Sequence, residues 1–178
     1  MKIKTTFKIL ALSLFMGLVS CGSDDDGGGT DTPPAPEFEI IQHDEAHTVM
    51  ADGDVFTATS TGESFGFDVK NLTDTVSYFR IECTDLVNAD GSMFIFCWDV
   101  CLAEIQEGAT YPQESGVISV NPGEVQESRG DKFQNLNAGD GSSTMEFKFR
   151  FIQTTAAGVE IAGAQDLNFT YKYVPTPM

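Results

Sequence analysis

Cationic residues are scarce in this chain: 10 Lys and Arg stand against 27 Asp and Glu over 178 residues, a formal net charge of -17. Lys2, Lys4 and Lys8 fall in residues 1–20, which hold no acid, so the remainder sets 7 basic against 27 acidic side chains, net -20. A chain so acidic has no electrostatic footprint for nucleic acid, and an anionic membrane surface repels it. Histidine is as rare, with 2 in all and none after His47. Aromatic platforms of the kind that hold sugars are few: 1 Trp and 4 Tyr. The apolar run from Ile9 to Val19 falls short of the roughly 20 residues a membrane span needs. Phenylalanine, by contrast, is plentiful. Fourteen Phe within a 41% hydrophobic composition suffice for a core and exclude wholesale disorder.

Residues 1–20 read as an address. A basic segment from Met1 to Lys8 precedes the apolar run, which only Ser13 and Gly17 interrupt; this is the pattern of a secretory signal peptide. The run ends in Leu18-Val19-Ser20-Cys21, which resembles the bacterial lipobox. That resemblance implies that Cys21 becomes the first mature residue and carries the lipid, palmitate among its acyl chains, that holds the protein to the membrane. A single chain holds weakly, at ~0.8 kcal/mol per buried methylene, so the two or three chains of a lipoprotein matter. Residues 21–36 then run through Asp24-Asp25-Asp26, three glycines and Pro33-Pro34-Ala35-Pro36, a composition that makes a flexible tether stiffened near its end. An acidic cluster just after the lipidated Cys resembles the surface-export signal of Bacteroidota lipoproteins. It implies an outer-membrane protein facing the cell exterior; a solvated spacer on a periplasm-facing anchor is the alternative.

From residue 37 to 175 the pattern is that of strands, with residues 176–178 as a tail. Period-two alternation puts Phe65, Phe67 and Val69 on one face of 64–70, Phe79, Ile81 and Cys83 on one face of 77–83, Phe147, Phe149 and Phe151 on one face of 145–151, and Leu167, Phe169, Tyr171 and Tyr173 on one face of 167–173. Weaker strands are expected at 55–59 and 117–120. Turn residues fall between at 51–53, 89–91, 121–123 and 139–141. No internal repeat is present. The expected fold is all-β, a single antiparallel sandwich of about 7–9 strands. Met93 to Trp98 breaks the alternation by being apolar on both faces. It reads either as a central strand covered on both sides or as a strand whose outer face docks on a partner. In the second reading Phe94, Phe96 and Trp98 are the partner-binding side chains.

With Cys21 given to lipid, Cys83, Cys97 and Cys101 remain, and three pairings are open. Cys97–Cys101 is preferred because it closes a tight loop around Trp98, Asp99 and Val100, and Cys83 falls on the core side of its strand as a buried thiol. Three Cys cannot form a four-thiolate zinc site, and neither His lies near them. The C-x-x-x-C spacing is not that of a thioredoxin-like redox motif.

Phe96-Cys97-Trp98-Asp99-Val100-Cys101 resembles the Phe-Cys-Trp-x-x-Cys-Tyr segment of immunoglobulin-like domains in secreted and surface proteins of Bacteroidota, several of which leave by the type IX secretion route. The likeness extends over roughly 64–174, through a strand at 76–82, the turn Asn121-Pro122-Gly123-Glu124 and the closing strands 141–151 and 166–173. It departs at Leu102, where the family has Tyr, and at the C-terminus, where no sorting domain follows, so lipid alone is expected to fix the location. The resemblance implies an immunoglobulin-like architecture and brings no catalytic residues.

Other motifs dissolve on inspection. Gly62-Glu63-Ser64-Phe65-Gly66 matches the nucleophile elbow, yet strand-type residues follow it and no His comes later to complete a triad. His43-Asp44-Glu45-Ala46-His47 imitates a zinc motif with its Glu displaced; on a strand its two imidazoles stand about 13 Å apart. Asp90-Gly91 and Asp140-Gly141 lack calcium-loop spacing and read as turns. Asp74-Thr75-Val76 resembles a Bacteroidota O-glycosylation acceptor, with Thr75 at a turn, and Asn71-Leu72-Thr73 is a nominal sequon. No catalytic set, metal site or cofactor is expected. The chain reads as a non-enzymatic protein-interaction module, with the role of an accessory subunit of an outer-membrane complex as one form of it and an envelope or surface protein as the expected partner. The alternative is a glycan-binding lipoprotein serving nutrient capture, for which Tyr78 and Tyr111 are the freer aromatics.

Overall fold

Alternation becomes twelve strands, in chain order β1 (Phe38–Gln42), β2 (Asp54–Ala58), β3 (Ser64–Asn71), β4 (Ser77–Val87), β5 (Ser92–Trp98), β6 (Val100–Glu104), β7 (Thr110–Tyr111), β8 (Ile118–Val120), β9 (Val125–Gln126), β10 (Lys132–Asn135), β11 (Met145–Thr154) and β12 (Asp166–Tyr173). The computed structural model describes residues 35–113, 116–126 and 130–176. The expected signal segment, Cys21 and the tether up to residue 34 lie outside the described residues.

Two sheets face each other. The first runs β1-β3-β10-β5-β6, with β9 also on β3; the second runs β2-β12-β11-β4-β7, with β8 also on β4. β9 and β10 share one edge of β3, and β7 and β8 share one edge of β4. Twelve segments therefore fill ten places, against the 7–9 strands expected from sequence. Every pairing is antiparallel except β2 with β12, which run parallel from Asp54↔Phe169 to Ala58↔Tyr173. Together these sheets are an immunoglobulin-like β-sandwich.

The four strongly alternating strands bury the residues their parity selects, including Phe65, Phe67 and Val69 of β3, Phe147, Phe149 and Phe151 of β11, and Tyr171 and Tyr173 of β12. Each fully buried aromatic of this kind contributes about 1.5–3 kcal/mol. At the centre sits Phe133, whose ring centroid lies 4.4 Å from Phe149, 5.0 Å from Phe67 and 5.3 Å from Phe96. It belongs to β10, a four-residue strand with a single apolar side chain that period-two reading does not detect. In β4 the alternation slips after Cys83, because Phe149 pairs with Cys83 and Lys148 with Asp85, leaving Thr84 as the extra residue of a bulge.

β5 resolves the apolar run at 93–98. Phe94, Phe96 and Trp98 point into the core at 0%, 2% and 1% exposure, so none presents a surface to a partner, and that expectation is corrected. Their parity matches the aromatic rows of β10 and β11, and the core takes them. Tyr111 is also buried, at 1%, its hydroxyl accepting from Gln106 N at 2.9 Å, so it is no free platform for a sugar.

Candidate interaction edge

The tip of the β5–β6 hairpin is built by one residue with positive φ and one disulfide, and a second positive-φ residue lies at its base. Asp99 turns the chain at φ 62°, and Met93 at φ 55° marks the place where the β5–β6 register shifts. Cys97 and Cys101 stand directly opposite each other and are bonded, as the preferred pairing has it, with Cα atoms 4.0 Å apart. Beneath the tip, Trp98 packs against Phe67 and Phe151 at centroid distances of 6.0 and 6.2 Å. Its Nε1 donates to Gln126 Oε1 at 3.1 Å; Gln126 Nε2 donates in turn to Asp131 Oδ2 at 3.2 Å, and Asp99 N donates to Asp131 Oδ1 at 3.2 Å. A buried carboxylate thus fixes the turn, the Gln and, through it, the indole.

β6 is an edge. Among the described residues it pairs with β5 alone, and four of its five residues, Val100, Cys101, Ala103 and Glu104, are exposed. The other edges differ. At β1 the open side is bridged by Ile41↔Val49, with Met50 N donating to Ile40 O at 2.8 Å and the Gln165 side chain bonded to Glu37 and Phe38. β7 and β8 cover β4. Among the described residues β2 has only β12 beside it and is a second open edge, carrying Asp54 as β6 carries Glu104. Exposed apolar side chains occur at both ends of the β5–β6 hairpin: Met93 at 55% and Leu136 at 39%, whose N–H donates to Met93 O, at its base, and Val100 at 62% at its tip. Ile95, half-buried, lies between. Edge strands are ordinarily guarded by Lys, Pro or a covering loop; β6 carries no Lys or Pro.

Charge divides the two outer faces. On the second sheet Arg150 bonds Glu82 and Glu160 at 2.8 Å each and Asp166 at 3.3 Å, while Lys148 bonds Asp85 at 2.8 Å. Glu160 chiefly, against some cost of desolvation, raises the Arg150 pKa. That face satisfies itself. Around the hairpin Asp90, Asp99, Glu104 and Glu107 form no ion pair among the described residues. Asp90 is a turn residue, its carboxyl accepting from Ser92 N and Oγ and held below the usual range by those bonds.

Elsewhere the sequence motifs take structural places. Ser64 opens β3 with no helix after it, and Glu63 accepts from Ser60 N and Oγ at 2.7 Å to tie the preceding turn. His43 folds over Gly66, where a Cβ would stand 2.7 Å from its Nδ1, and its Nε2 lies 2.7 Å from Asp68. His47 is exposed in the turn that returns the chain to β1. Asp140 accepts from Ser142 N and Ser143 N at 2.8 and 2.7 Å, a turn of the same kind as Asp90. Asn71 is fully buried, its amide donating to Val120 O and Thr75 O, so the nominal sequon offers no acceptor; Thr75 is exposed in the bend between β3 and β4. Cys83 is a buried free thiol, pushed up to about 12 by burial and then by Glu107.

The fold and site together define an immunoglobulin-like sandwich whose β6 and β2 edges are open among the described residues. No family model matches the chain, and no curated protein does. Among solved structures it is similar to the N-terminal domain of PorA, at 15% identity and a TM-score of 0.44, over 76% of this chain and 96% of that one. It is also similar to the ASH / PapD-like domain 7 of human CEP192, at 9% identity and a TM-score of 0.38, over 92% and 96%. Neither is close enough to transfer a function.

Proposed function

We propose that the chain is an outer-membrane lipoprotein, anchored through lipid on Cys21 and facing the cell exterior, whose sandwich is a non-catalytic protein-interaction module and accessory subunit of an outer-membrane complex. The observation that supports this most is the side of β6 left free among the described residues, in a hairpin with Val100 exposed at its tip and Met93 and Leu136 exposed at its base. A strand of the partner adds to β6 through main-chain hydrogen bonds, with its side chains over Val100 and Ala103. The unpaired Asp99 and Glu104 at the two ends of β6 favour a partner strand flanked by Lys or Arg. The lipobox-like Leu18-Val19-Ser20-Cys21 and the acidic tether support the location.

The natively lipidated chain, extracted in mild detergent and compared with a Val100→Lys/Ala103→Lys double variant, tests this. Both substitutions fall at exposed positions, so stability should stay within about 0.5 kcal/mol. A stoichiometric envelope protein retained by the wild type and lost by the variant is the expected result; equal retention by both removes β6 from the account. Cys21→Ser should move the protein out of the membrane fraction.

A further inference from the structure

A cleft of about 560 Å³ lies at the end of the second sheet where β4 begins and β11 ends, well inside the range of roughly 300–1,000 Å³ typical of small-molecule sites. We infer that this cleft binds a neutral saccharide, independently of the β6 edge. Its chemistry narrows the ligand class stepwise. No Lys or Arg lines it, and Glu37 does, so a phosphate, sulfate or uronate has nothing to hold it and a carboxylate to repel it. Where β4 and β11 form the wall, the main chain is already engaged. β4 at Ser77 and Tyr78 is paired on both sides, to β8 and, at Tyr78, to Thr154 of β11; Ile161 N donates to Gln153 O, and Thr75 O accepts from Asn71 Nδ2. An extended peptide strand therefore finds no ladder here, and recognition falls to side chains.

Those side chains suit a sugar. Gln153 Nε2 donates to Glu37 Oε2, which fixes the carboxylate and leaves Oε1 to accept from a ligand hydroxyl. Thr75 is exposed, and its hydroxyl makes no hydrogen bond among the described residues. Apolar side chains share that lining: Val76 and Ile161, 42% and 44% exposed, and the half-buried Tyr78, which the C–H face of a pyranose can cover. A sugar, which carries hydroxyls and C–H groups together, matches a lining that interleaves polar and apolar side chains.

The full chain in a polyoxyethylene detergent, chosen because glycoside detergents would compete, is titrated by ligand-observed NMR with cellotriose, xylotriose, mannotriose and galactotriose, and with trigalacturonate as the acidic counterpart. At least one neutral trisaccharide should bind with a Kd at or below about 1 mM, and trigalacturonate should not. Val76→Arg, which fills the mouth from an exposed position, and Tyr78→Ala should each weaken that binding by about tenfold or more; thermal unfolding of each variant checks that the fold is kept, and Val76→Arg stands as the test should Tyr78→Ala unfold. Absence of binding by all four neutral probes, preference for trigalacturonate, or a folded variant that binds as the wild type does overturns the inference.

Discussion

Trp98 has its indole wedged between Phe67 and Phe151 and its only donor committed to Gln126, so nothing of it is left for a partner. Trp98→Ala is expected to cost about 3–5 kcal/mol in denaturant unfolding, the range for truncating a buried aromatic, with Trp98→Phe milder. A Trp98→Ala protein of wild-type stability that had lost its partner would restore the anchor reading. Cys83 gives a second check at this scale. Its thiol pKa is raised from an ordinary 9.0 to about 12, chiefly because burial penalises the thiolate. Since the folded value lies above the unfolded one, its contribution to stability is whole below pH 9 and is lost as pH rises toward 12. Labelling by a thiol reagent at pH 8 should therefore proceed only as fast as the protein opens; rapid labelling of the native state would contradict the burial.

The β5–β6 hairpin is held by a cross-strand disulfide of sequence separation 4. Closing so short a loop restricts the unfolded chain modestly, so a Cys97→Ser/Cys101→Ser variant should lose about 2 kcal/mol and remain folded. Unfolding midpoints of the two forms decide it, and complete unfolding would mean that the bond holds more than the tip. The tight reversal at Cys97–Cys101 is legible in sequence, because two Cys four residues apart can be bonded only if the chain turns back between them. Long strands are legible for the same local reason: β3, β4, β11 and β12 each alternate for several residues, and their buried faces follow parity. β10 is not, since Lys-Phe-Gln-Asn carries one apolar residue, though that residue becomes the hub of the core. β6 is not either. Its residues are mostly exposed on both sides, so burial leaves no period-two signal, and being an edge is a relation between strands that no local pattern encodes. Parity did place Phe94, Phe96 and Trp98 together on one face; what it could not tell was that this face is the inner one.

Across the whole molecule, acids far outnumber bases, and the few cations are concentrated in the ion pairs of the second sheet and in Lys70–Glu39 of the first. Unpaired carboxylates repel one another, and salt shortens the reach of that repulsion from ~30 Å at 0.01 M to ~8 Å at 0.15 M. Melting temperature should therefore rise by roughly 2–6 °C over that range; a fall would mean that the surface ion pairs outweigh the excess acid. Asp99 and Glu104 flank the open β6 edge, which is where the proposed partner docks. Site-specific photocrosslinking in intact cells tests that placement most directly, with a benzophenone side chain at Val100 or Ala103 on the edge and at Val55 or Thr170 on the opposite sheet. A single partner adduct from positions 100 and 103, absent from 55 and 170, is the result expected; adducts from 55 or 170 with none from the β6 positions would contradict it.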